Sequence, residues 1–79
     1  MEKIDFKKNF IDGDLNIPSF GHYRIEKEGG KIVVYNEFDR KDTEQTFSDF
    51  ESFYNAEIPI GKISDYIKKL SNVYIMSLD

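Results

Sequence analysis

His22 is the single histidine of this 79-residue chain, and cysteine is absent. Acid–base or nucleophilic chemistry would therefore have to run through His22 and a neighbouring carboxylate. A cross-strand Glu37 can orient the imidazole, but no serine is tied to the pair by any motif. Metal chemistry fares no better, because one histidine and scattered carboxylates lack the spacing of a ligand set. Asp12, Asp14 and Asn16 imitate the opening of a calcium loop, yet the glycine and glutamate such a loop requires are replaced by Ile17 and Tyr23. Gly29-Gly30 precedes a strand and not a helix, so it is no phosphate cradle. These readings describe a protein that is not an enzyme and takes no cofactor or metal.

The chemistry that remains is recognition. Residues 37–57 hold Glu37, Asp39, Asp42, Glu44, Asp49, Glu51 and Glu57 against only Arg40 and Lys41, a formal charge of −5. The whole chain carries −4, so the rest of the sequence is close to neutral. Phe38, Phe47, Phe50, Phe53 and Tyr54 lie among these acids. Such a field repels nucleic acid and suits a basic protein surface. Seven Phe and five Tyr are many for so short a chain. Each large ring needs ~150–250 Å² of cover, so some of them are expected at a partner or homodimer interface.

Those residues must be positioned by short elements. His22–Glu28 and Lys31–Asp39 are β-rich runs around Gly29-Gly30, which reads as a two-residue hairpin turn. Pairing Glu28 with Lys31 puts Tyr23, Ile25, Ile32 and Val34 on a core face. His22, Arg24, Glu26, Val33, Tyr35 and Glu37 then fall on a solvated face. Thr46-x-x-Asp49 and Ser48-x-x-Glu51 are N-cap patterns, so the sequence predicts a capped helix over residues 46–55. In that helix Phe47, Phe50 and Tyr54 form a stripe. Pro59 and Gly61 break the chain, and a second helix is expected from Lys62 to Leu70 with Ile63, Tyr66, Ile67 and Leu70 on its inner side. Residues 73–78 read as a closing strand. The first twenty residues suit a strand or a short helix equally, followed by a turn at Asp12-Gly13-Asp14.

The expected architecture is one α+β domain. A small antiparallel sheet of three or four strands, the central β-hairpin plus the C-terminal strand, is covered on one face by two short helices. No apolar run is long enough to span a bilayer and no signal region follows Met1, which together with the absence of cysteine points to the cytoplasm.

Ser48-Asp49-Phe50-Glu51-Ser52-Phe53-Tyr54, placed after a hairpin, resembles the S-D-F-E-x-x-Y helix of the short uracil-DNA glycosylase inhibitors of small Bacillus phages. In outline the chain is similar to those acidic proteins, and more broadly to other small acidic phage inhibitors such as anti-CRISPR proteins. The resemblance implies that Phe50, Glu51 and Tyr54 contribute to an apolar pocket for the target enzyme. The longer N-terminus and the Lys62–Leu70 helix depart from that family. The expectation is a protein-binding inhibitor, of phage or mobile-element origin, that mimics DNA in the nucleic-acid site of a host enzyme. Its partner-binding residues would be Glu37, Asp39, Asp42, Glu44, Asp49, Phe50, Glu51 and Tyr54. The same features also suit a homo-oligomeric assembly protein or an immunity protein or antitoxin.

Overall fold

The computed structural model describes residues 1–71. Helix α1 (Lys3–Phe6) runs without a break into a π-helical turn over Lys7–Ile11. Strands β1 (Tyr23–Glu28) and β2 (Lys31–Asn36) form the hairpin, followed by the single turn α2 (Arg40–Thr43) and strand β3 (Gln45–Phe47). Helix α3 (Phe50–Tyr54), the two-residue strands β4 (Glu57–Ile58) and β5 (Gly61–Lys62), and helix α4 (Ile63–Lys69) complete the order. The fold is α+β: a three-stranded antiparallel sheet ordered β1-β2-β3, with β4 and β5 paired separately.

The hairpin has the register that the Gly-Gly turn dictates, with Glu28 opposite Lys31, Ile25 opposite Val34 and Tyr23 opposite Asn36. Gly29 and Gly30 adopt φ of 59° and 79°, the pair of left-handed residues that matches the twist of the flanking strands. The core face is the expected one. Tyr23, Ile25, Ile32 and Val34 join Phe6, Phe10, Phe50, Phe53, Ile63 and Ile67 in one buried cluster. Helices α1, α3 and α4 therefore cover a single face of the sheet. Ile63 and Ile67 are fully buried, and Tyr66 and Leu70 pack beside them, as the helical spacing in α4 requires.

The N-terminal segment resolves as helix because Phe6 and Phe10, four residues apart, fall on one side of it. Their rings are 5.0 Å apart, and Phe6 also lies 6.3 Å from both Phe50 and Phe53. Ile4 points outward. Lys27, on β1, fastens this segment by donating to the carbonyls of Ile11 and Gly13.

Three expectations need correction. The predicted helix over 46–55 is divided: Thr46 and Phe47 belong to β3, opposite Val33 and Ile32, and only Phe50–Tyr54 is helical. The cap is Asp49, whose side chain accepts from the Ser52 N–H, and neither Thr46 nor Ser48. A central strand as buried as β2 must pair both of its edges, and that demand outweighs a local capping pattern. Second, Val33 and Tyr35 are buried although their sheet face was expected to be wet. Arg40 of α2 lays its guanidinium 4.4 Å above the Tyr35 ring. Third, Pro59 and Gly61 do more than break the chain, since they lie in and beside the β4–β5 turn. The closing strand predicted for 73–78 lies outside the described residues.

Candidate protein-binding surface

Most acids of the segment are held by ion pairs or helix caps within the chain. Glu44 and Glu28 both bind Arg40, at 2.6 Å to Nε and 2.8 Å to Nη2. Glu51 takes Lys3 at 2.7 Å. Asp49 is the α3 cap, and the Ser52 N–H it accepts holds its carboxyl below the usual carboxylate range. Asp39 caps α2 through a long 3.4 Å contact with the Asp42 N–H. Glu37 bridges His22 Nδ1 at 3.2 Å and Arg24 Nε at 3.1 Å. Its carboxyl is lowered first by the His22 contact and then by the Arg24 charge. Of the acids proposed from sequence, Asp42 alone has no ion pair and caps nothing in the described residues.

The two aromatic candidates are placed differently from the sequence reading. Phe50 is 5% exposed and Tyr54 9%, and both belong to the core cluster. Helix α3 is one turn long and sits between α1, β3 and α4, so all three of its rings turn inward. Phe50 lies 5.7 Å from Tyr54 and 5.9 Å from Phe53. Lys3 Nζ lies over the Tyr54 ring, 4.9 Å from its centre. A pocket or anchor role for Phe50 and Tyr54 would require this packing to open.

Phe38, which the sequence reading left out of the site, is the aromatic ring most open to solvent among the described residues, at 75% exposure. It stands at the turn between β2 and α2, and that turn is held on several sides. Asn36 Oδ1 accepts from the Phe38 N–H at 2.9 Å, and the Asn36 carbonyl accepts from Asp39 N–H at 3.1 Å. Thr43 Oγ1 accepts from the Asn36 N–H and donates to the Asp39 carbonyl. The Phe38 ring leans on the His22 imidazole, with 4.8 Å between centroids and 56° between planes. Sequence carried no separate signal for it, because Phe38 falls within the Lys31–Asp39 run expected as strand, whereas the strand ends at Asn36.

The surface thus brings Glu37, Phe38, Asp39 and Asp42 into one turn. It separates Glu44, paired with Arg40 at the end of α2, and Asp49 and Glu51, at the start of α3. The tilted contact with Phe38 and the bond to Glu37 occupy His22 structurally. No cluster of three or more potential metal-ligating side chains occurs among the described residues, and no helix among them is long and apolar enough to cross a membrane. Comparison of the chain with family models, with curated proteins and with solved structures finds no match.

Proposed function

We propose that the protein is a small acidic inhibitor that binds a basic protein surface and blocks the nucleic-acid site of a target enzyme. The observation that carries this reading is the 36–43 turn, where an exposed Phe38 stands beside Asp39 and the unpaired Asp42. Aromatic anchors dominate interface energies, and acids around one select cationic partners. The turn is fixed by hydrogen bonds before any partner arrives, which lowers the ordering cost of binding. Relative to the sequence reading, the anchor moves from Phe50 and Tyr54 to Phe38. The acidic contribution narrows from six residues to Glu37, Asp39 and Asp42. A uracil-DNA glycosylase or a CRISPR effector, whose substrate grooves are basic, represents the class of target.

The test is inhibition of a panel of purified nucleic-acid-processing enzymes that includes both types. Wild-type protein is expected to suppress at least one of them, and a Phe38→Ala/Asp42→Lys double variant is expected to lose that effect while remaining folded. Suppression that survives the double variant would place the binding surface elsewhere, and a panel untouched by wild type would remove the reading.

A further inference from the structure

Phe38 is linked across His22 and Gly21 to a second exposed apolar side chain on another hairpin. From Phe38 the link passes to His22, on which its ring leans, and then to Gly21, the neighbouring residue. A Cβ placed on Gly21 would stand 3.9 Å from Ile60 Cδ1, so the Ile60 side chain lies over this bare backbone. Ile60, at the β4–β5 turn, is 42% exposed. Phe38 and Ile60 are two of the three large apolar side chains exposed among the described residues, the third being Ile4 on α1. They lie 22 positions apart in sequence and are joined only by the fold.

The Ile60 end is built as firmly as the Phe38 end. The Tyr66 hydroxyl donates to the Ile60 carbonyl, and the Tyr66 ring stacks on Phe20 at 5.3 Å and 19°. Gly61 has φ of 135°, and a Cβ there would stand 3.2 Å from Tyr66 Cε2. The tip is therefore clamped from below, and its one large apolar side chain is turned outward. Two apolar side chains on hydrogen-bonded turns, with a glycine notch between them, make a surface that excludes water when covered, the arrangement found at interface centres.

We infer that the Phe38–His22–Gly21–Ile60 strip is the apolar centre of the binding surface, and that its occupant is a protein surface with an apolar recess flanked by Lys or Arg. The charge pattern chooses this occupant. Asp39 and Asp42 border the Phe38 end and favour cations opposite them. A second copy of the chain would set acid against acid at the same border, and a nucleic acid would set phosphate there. This rests on the protein-binding reading above and adds Ile60 and Gly21 to it.

The test uses a phage-displayed library of random twelve-residue peptides selected on the immobilised protein. Binders retained by a Phe38→Asp/Ile60→Asp double variant are discarded. The expected survivors combine apolar residues with Lys or Arg. Their addition to ¹⁵N-labelled wild-type protein should shift the amides of Gly21, His22, Phe38 and Ile60 together, and either single alanine variant should weaken binding by tenfold or more. Survivors that are acidic or uncharged, or an empty selection, would overturn the assignment. Shifts confined to residues 37–42, with Ile60→Ala binding as tightly as wild type, would overturn the strip while leaving the acidic-turn reading intact.

Discussion

Lys3 closes over helix α3, its Nζ 2.7 Å from Glu51 Oε2 and 4.9 Å from the centre of the Tyr54 ring. The contact joins the first helix to the segment where the sequence places a binding anchor, and it leaves Phe50 and Tyr54 as core. Phe50→Ala should therefore act through stability, costing about 3–5 kcal/mol. A domain of this size is expected to hold only about 4–12 kcal/mol in total. Urea unfolding followed by circular dichroism should show the midpoint moving sharply down; an unchanged midpoint would mean the ring is not packed.

Phe38→Ala should behave in the opposite way. The ring buries little of itself, so its loss should change unfolding stability by no more than about 0.5 kcal/mol. The His22 ring protons should nevertheless move in the NMR spectrum, because the neighbouring ring current disappears. Strong destabilisation would show that the turn depends on Phe38 for packing.

Gly61→Ala should be costly for its position on a surface turn. The left-handed φ and the close Tyr66 ring oppose a Cβ together, and strain of this kind costs on the order of 1–3 kcal/mol. Thermal melting should reveal it, along with weakened cross-relaxation between Phe20 and Tyr66. A neutral result would contradict the clamp beneath Ile60.

Stability should fall in acid through two identified carboxylates. Glu37 and Asp49 are both lowered from ordinary values of 4.5 and 3.8, so the unfolded chain binds their protons more readily than the folded one. Their stabilisation is complete above those ordinary values and is lost as pH falls through the lower folded ones. Unfolding measured between pH 2 and 6 should show this slope, and Glu37→Gln with Asp49→Asn should flatten it. A slope unaffected by both substitutions would assign acid sensitivity to other groups.

Much of the fold was legible where pattern and turn chemistry agree. Gly29-Gly30 with alternating Tyr23, Ile25, Ile32 and Val34 fixed the register, and the Ile63–Ile67 spacing identified α4. The 45–55 segment was misread because local capping signals compete with a need that is not local: β2 requires a second neighbour, and Gln45–Phe47 supplies it. Phe6 and Phe10 were hidden by polar residues that suit a strand or a helix equally. The proposed binding surface was half legible. Its acidity was plain from composition, but pairing by Arg40, Lys3 and Arg24 depends on distant residues. The link between Phe38 and Ile60 runs through His22 and Gly21, which only the fold brings to them.

The central claim is that the acidic turn competes with nucleic acid for a basic site, and competition on an inhibited enzyme tests it most directly. Association should be measured across ionic strengths, with and without a DNA substrate, for any panel enzyme that wild-type protein suppresses. The account predicts mutual exclusion between the protein and DNA, and an association rate that falls steeply as salt rises. A stable ternary complex of enzyme, DNA and protein, or an association rate indifferent to salt, would contradict it.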